Sequence, residues 1–502
     1  MIALLVLIGA ALTILWRFNR KGNRLPLPPG PKPLPIIGNL HQEPSKDRWL
    51  QYHEWHKKYG PLVSMRLGQR TVISVGSHQA ANELLTKRSH IYSSRPRFII
   101  MGECAFRNLN TALIPYGPQW RTHHRIQARF LKANHATHYG PVQDIESKHL
   151  VRDLLSLRDF PKVFLRYAYS MNSTLAYGQR VDTVDAHAMV ELSSVSKAIG
   201  EISATVLGVM VEMFPILNRL PAPLAPWKQA ADRGYARALA LYERNCRLAE
   251  TSPSWNWVRG AQSMKESKTV SREEFANIIG FVFDAGSETV AGALEMFVLA
   301  AVSNNAVMRK AQEEIDRVVG PGRLPTMQDL PSLPYTCAVA VETLRWRPLA
   351  PMGFPHELME DDEYMGYRIP KGAMVLPNHW AMDLDETVFE RATEFRPERW
   401  LENPELPLAA FGFGRRGCPG RHIAKDSLRI SVARMLWTFD ILPGKSTVNT
   451  WDLQQGLLAP PTHFEAQFQL RSPEREAIIQ LEWESTDKNT DRMMQSIKEL
   501  ID

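Results

Sequence analysis

The sequence predicts one large, mostly helical domain with a small β portion, set behind a short apolar helix at the N-terminus. Three observations carry this expectation. The stretch "SREEFANIIGFVFDAGSETVAGALEMFVLAAVSN", Ser271 to Asn304, contains no proline and is apolar on nearly every side. A helix of that kind has no polar face to give to water, so it runs through the middle of a domain. Helical patterning dominates from Ala80 to Phe283, and strand-like alternation is confined to short stretches. With 502 residues, 44% hydrophobic and 23% charged, the chain has a globular balance and can fill a substantial core.

The elements follow in chain order. "IALLVLIGAALTILW", Ile2 to Trp16, carries no charge. As a helix it spans roughly 22 Å against roughly 30 Å of hydrocarbon, a mismatch that Phe18 and snorkelling cations reduce. Arg17, Arg20, Lys21 and Arg24 follow the run, whereas a cleaved secretory signal, the alternative, carries its positive charge in front. The expectation is an uncleaved single-pass anchor over residues 1–20, with the rest of the chain on the cytosolic side. Residues 21–39 include "LPLPPGPKPLPIIGN", a stiff, extended hinge that cannot enter a helix. Residues 40–502 form the globular body.

Within that body, "LVSMRLGQRTVISVG" reads as two strands around a Gly-Gln turn. Ser271 and Glu274 form a capping box that starts the long central helix. A further helix holds Tyr335 to Arg347 and stops at Pro348. "YRIPKGAMVLPN" has hairpin chemistry, and another helix follows Cys418, with Pro419 at its favoured first position.

Composition excludes several classes. The net charge is +7, but there is no nucleic-acid-binding motif and no dense Lys/Arg run, so the expected partner is an acidic protein or an anionic membrane. Cys104, Cys246, Cys337 and Cys418 are irregularly spaced without a CxxC pair. That is neither a disulfide framework nor a structural zinc site, and it fits a reducing compartment.

The chemistry concentrates in "FGFGRRGCPGRHIA", Phe411 to Ala424. Four glycines let the backbone wrap tightly around Cys418 and turn amides inward. A sulfur at a helix N-terminus is favoured as thiolate, and a buried thiolate held by amides suits metal ligation. A structural cysteine does not need four flanking glycines. A zinc pair with His422 finds no further ligands nearby, and a nucleophilic cysteine stays open from this segment alone.

Phe411, Gly414, Arg416, Cys418 and Gly420 match the FxxGxRxCxG signature, and with it the chain resembles the cytochrome P450 superfamily. The resemblance implies the P450 fold and a b-type haem whose proximal ligand is the Cys418 thiolate, a donor that favours O–O heterolysis. It implies that Arg416 pairs with a haem propionate and that Phe411 shields the sulfur. Trp120 and His124 in "WRTHHR" match the helix that covers the propionates, with Arg125 beside them, although His124 stands where arginine is usual. His356 in "FPHE" occupies a similar place, although a lone histidine is more often a satisfied core residue. Glu342, Arg345 and Arg399 match the family's buried ion triad. "AGSETV" resembles the A/G-G-x-D/E-T-T/S pattern: Gly286 leaves room for a ligand, and Glu288 with Thr289 forms an acid–alcohol pair suited to relaying protons. Thr289 can also bond back to a carbonyl and open a local notch. Val290 departs from the pattern, where a second hydroxyl is usual.

The wording of "EDDEYMGYRIPKG" and "LPNHWAM" is similar to P450 enzymes of fungal secondary metabolism. The resemblance therefore implies an endoplasmic-reticulum monooxygenase that uses O2 and takes electrons from an NADPH-dependent reductase, with cytochrome b5 as a further donor. Its substrate is a lipophilic small molecule, oxidised by insertion or by radical coupling. The substrate-facing segments expected from family position are 97–113, the central helix, "LAPMGF" and "LLAPPTHF". Two rivals remain: a P450-fold enzyme that rearranges or dehydrates without outside electrons, and a non-catalytic haem sensor or carrier.

Overall fold

A computed structural model describes residues 25–156 and 158–501. The expected anchor lies outside the described residues. The described residues are mostly helical around one central helix, with three small sheets. The elements that build the site are α1 (Arg48–Tyr59), β1 (Leu62–Leu67), β2 (Arg70–Val75), α2 (Pro118–Leu131), α3 (Gly140–Leu154), α4 (Phe160–Tyr177), α5 (Pro226–Thr251), α6 (Arg272–Ser303) and α7 (Pro334–Trp346). They are followed by β3 (His356–Glu357), β4 (Asp362–Tyr364), β5 (Tyr367–Ile369), β6 (Met374–Pro377), α8 (Arg421–Thr438), β7 (Phe439–Pro443) and β8 (Ala466–Leu470).

α6 is the predicted central helix, and Ser271 starts it by accepting a hydrogen bond from Glu274 N at 3.0 Å. It is buried because α4 lies along it: Phe283 receives Tyr169 edge-on at 4.9 Å and Tyr177 at 5.3 Å. Burying a ring such as Phe283 contributes about 2–3 kcal/mol. Gly280 is needed where α5 crosses, because a Cβ there would fall 2.3 Å from the Tyr242 ring. α6 is also long and apolar enough to cross a membrane, but it is mostly buried in the protein core.

The predicted β1–β2 hairpin forms in register from Leu62 opposite Val75 to Leu67 opposite Arg70, turning at Gly68 with φ 58°. The segment expected to be one hairpin, "YRIPKGAMVLPN", is instead divided. Tyr367–Ile369 turns back on Asp362–Tyr364, while Met374–Pro377 leaves to lie parallel to β2 and antiparallel to β3. The reason is non-local: Val375 and Leu376 find a buried place beside β2, which no local pattern announces. The main sheet thus has the order β1-β2-β6-β3.

The proline-rich stretch is strapped to this sheet. Ser64 N donates to Pro29 O at 3.0 Å and Arg368 N to Pro26 O at 2.8 Å. A Cβ at Gly30 would fall 1.8 Å from Ser64 O, so only glycine passes there.

The ion triad is assembled as expected. Glu342 receives Arg345 Nη2 at 2.7 Å, Arg399 Nε at 3.1 Å and Trp400 Nε1 at 2.9 Å. Arg345 in turn donates to the carbonyls of Asp383 and Ala392, so every charge in the buried cluster is paired and bonded.

Candidate active site

A cavity of about 310 Å³ opens between α6 and the loop that leads into α8. One wall is α6, through Ala285, Gly286, Thr289, Val290 and Ala293. The opposite wall is Phe411, Cys418, Pro419, Ile423, Ala424 and Leu428. All four expected substrate-facing segments reach the cavity, through Ala112, Val282, Leu349, Phe354 and Leu458 among others. Most of that lining is apolar.

Cys418 sits where the loop doubles back: its N–H donates to Phe411 O at 2.7 Å, and Gly412 and Gly414 take φ of 68° and 53°. A Cβ at Gly414 would fall 2.1 Å from Leu85 O, which makes glycine obligatory. α8 starts at Arg421, so Pro419 shapes the turn ahead of the helix instead of occupying its first position. Burial pushes the Cys418 thiol up, against the pull of the Gly420 N–H and the Arg421 charge. Helix position alone therefore does not produce the expected thiolate; coordination to a metal would.

Arg416 is a largely buried cation whose hydrogen-bond partners are all carbonyl oxygens. Its Nε donates to Ser93 O at 2.7 Å, Nη1 to Thr111 O at 3.1 Å and Nη2 to Ile114 O at 2.8 Å. The guanidinium lies 4.6 Å over the Trp120 ring, and burial, with Arg95 nearby, lowers its pKa to about 8. Arg95 is in the same condition. It donates to the carbonyls of Ala112, Phe354 and Pro355, and burial lowers its pKa to about 9. Both line the cavity, and no carboxylate pairs with either among the described residues. Two buried cations without an anion require a ligand that brings negative charge.

Of the other predicted positions, Trp120 and His124 stack at 4.7 Å on the same rim. His124 lines the cavity; Arg125, next along α2, is exposed and does not. His356 is buried at the rim, and its Nδ1 donates to Tyr92 O at 2.8 Å. Burial, with Arg95 and Arg416 close by, holds it well below the usual imidazole value. Its Nε2 is then an acceptor.

The acid–alcohol pair is split between two faces of α6. Thr289 Oγ1 donates back to Ala285 O at 2.7 Å, on the cavity side. Glu288 does not line the cavity. Its charge, with that of Asp284 one turn earlier, acts on the buried Tyr242 phenol of α5, which burial above all holds well up.

These features together fit a flat, dianionic macrocycle with a metal: a single sulfur ligand, apolar walls on both sides and two guanidiniums at one rim. Among the described residues no group of three or more His, Cys, Asp or Glu side chains could hold a bare metal ion. The cytochrome P450 family model matches residues 28–468. The chain belongs to the cytochrome P450 family. It is 44% identical over 481 residues to cytochrome P450 monooxygenase aneD of Aspergillus aculeatus, covering 94% of this chain and 93% of that one. It is 42% identical over 468 residues to cytochrome P450 monooxygenase peniB of Penicillium patulum, covering 92% and 88%. It is 41% identical over 499 residues to the echilunin cytochrome P450 monooxygenase of Aspergillus ruber, covering 97% and 93%. This P450 is therefore an oxidoreductase, and its family implies a haem-thiolate iron.

Arg95 was not anticipated from sequence. It follows two serines in "YSSRP", and nothing local separates it from a surface arginine. Asn172 and Trp257 also line the cavity, carried there by the packing of α4 and the 257–262 helix.

Proposed function

We propose that this P450 is a haem-thiolate monooxygenase that oxidises a lipophilic metabolite of fungal secondary metabolism, with O2 and electrons from an NADPH-dependent reductase. The observation that carries the reading is the placement of Cys418 and Thr289 on opposite walls of one apolar cavity rimmed by two anion-seeking guanidiniums. The bound haem, of b type, supplies the redox centre that activates dioxygen for insertion into substrate. Cys418 would be its sulfur ligand, Arg416 and Arg95 would pair with its acids, and Trp120 and His124 would lie beside them at the same rim. His356 joins them only as the protonated imidazole, which the acids themselves would favour. Phe411 and Ile423 keep water from the sulfur. Thr289 holds a proton at Oγ1 on the cavity side, and Glu288 draws protons in from the α5 side.

Electron supply requires a docking face. Arg121, Arg125, Arg129 and Lys132 are exposed along α2 and its end, near the Cys418 loop through Arg416 and Trp120. A basic stripe of this kind suits an acidic flavin domain, and cytochrome b5 as a second donor. Attachment to the endoplasmic-reticulum membrane is supported by exposed apolar residues: Ile36 is 73% exposed, Leu224 65% and Ile216 61%. Ile36 and the 216–224 stretch lie toward each other: Gly68 N donates to Ile37 O at 3.2 Å, and a Cβ at Gly68 would lie 3.9 Å from Met213.

The test is Thr289→Ala beside Cys418→Ser in the full-length protein with reductase. Thr289→Ala keeps haem but diverts NADPH into hydrogen peroxide, whereas Cys418→Ser loses the ferrous–CO absorption of a thiolate-ligated haem. An unchanged ferrous–CO spectrum in Cys418→Ser overturns the assignment. Product formed without reductase or O2 favours rearrangement chemistry, and dimeric products in the same assay mark radical coupling.

A further inference from the structure

Gly286 is bare for a specific reason. A Cβ there would fall 2.5 Å from Asn172 Oδ1 and 2.9 Å from Asn172 Nδ2, so the amide of Asn172 lies directly against the α6 backbone. Asn172 is only 4% exposed and lines the cavity. Its orientation is set by Nδ2, which donates to Ala168 O at 2.8 Å. Its carbonyl oxygen accepts no hydrogen bond from any described residue. Asn172 faces the cavity in a largely apolar wall, where an acceptor without a protein donor is best met by a small donor such as water.

The position is informative. Gly286, Thr289 and Val290 share one face of α6, three and four residues apart. The family pattern places a second hydroxyl where this chain has Val290, which is buried. Asn172 meets that face at Gly286 from the neighbouring helix.

We propose that Asn172 is a positioning residue for the oxidation: its amide oxygen, packed against Gly286, holds one ordered water on the cavity side, within reach of Thr289. The water donates one hydrogen to Asn172 Oδ1 and the other to Thr289 Oγ1, whose own proton is on Ala285 O. Asn172 thus replaces, from α4, the polar group that Val290 removes from α6. The inference rests on the role proposed for Thr289.

Three measurements on the full-length, haem-loaded protein test it. In a wild-type structure at high resolution, a water lies about 3 Å from Asn172 Oδ1; a dry site there overturns the proposal without need of a variant. Asn172→Leu loses coupling of NADPH to product by about fivefold, the ratio that one net hydrogen bond represents, while haem content is kept and the ferrous–CO infrared band shifts. Asn172→Leu with Val290→Thr regains coupling, which a merely structural asparagine would not do. Wild-type coupling and an unshifted band in Asn172→Leu, with Thr289→Ala still uncoupled, refute Asn172 alone. Full coupling in Thr289→Ala refutes the reading beneath it. If Asn172→Leu does not load haem, Asn172→Ser replaces it, with the same band and the same rescue decisive.

Discussion

Glu295 sits on α6 six residues beyond Thr289, and the fold opposes its ionisation. No cation or hydrogen-bond donor meets its carboxylate among the described residues, and burial, aided by the charge of Asp159, raises its pKa to about 7 from 4.5. The native state therefore holds a proton that the unfolded chain releases in the interval between those values. Stability is full below the unfolded value, falls as pH rises, and reaches its floor once pH passes about 7. The difference corresponds to about 3 kcal/mol at pH 8 and under about 1 kcal/mol at pH 5. Glu295→Gln keeps the shape and removes the charge. It is expected to raise the apparent melting temperature by about 3 °C at pH 8, given the unfolding entropy of a chain this long, and by much less at pH 5. The assay is a thermal scan of wild type and variant at both pH values and one scan rate, since unfolding of a protein this size is not reversible. Equal gains at both pH values would show that packing, not ionisation, distinguishes the two side chains. A loss at pH 8 would show that the carboxylate has a partner and that the reasoning is wrong.

Other outcomes follow from the same geometry. Glu342→Gln leaves Arg345 and Arg399 without their anion and is expected to cost about 3–5 kcal/mol, read as loss of soluble haem-loaded protein. Arg416→Leu strands the carbonyls of Ser93, Thr111 and Ile114 and removes a rim cation, so haem per polypeptide falls, whereas Arg125→Leu, on an exposed position outside the cavity, leaves the haem-to-protein ratio unchanged. Removing residues 2–20 is expected to move much of the protein to the soluble fraction with its ferrous–CO spectrum intact; loss of haem instead would make that segment part of the fold.

The central helix, the capping box, the first hairpin and the Cys418 loop were legible because each depends on local chemistry: an apolar run, a serine before an acid, glycines with positive φ. The rest depends on meetings between distant segments. β6 leaves its local partner for β2, and β7 and β8, which pair Phe439 with Leu470, are separated by a loop that hides their alternation. The helices Pro473–Ser485 and Thr490–Ile501 lie beyond the family match; the first docks by Trp483 on His149 at 4.5 Å, and the second buries Met494 and Ile497. At the site, the motif residues were visible but their facing was not. Glu288 and Thr289 are neighbours in sequence, and their 100° separation on a helix points one toward α5 and the other into the cavity. Arg95 and Asn172 belong to no local pattern, and only tertiary packing brings them to the wall.

The pair Arg95 and Arg416 also bears on how the protein is made. Without an anion, two guanidiniums whose hydrogen bonds all go to carbonyls burden the folded chain and leave the unfolded one untouched. A dianionic ligand that binds only the folded form lifts that burden and adds its own binding energy by mass action. The yield of native protein then follows the supply of cofactor during synthesis, and chains that fail to acquire it stay open longer to proteases. In a cell short of haem, this enzyme is expected to disappear as protein before it fails as a catalyst.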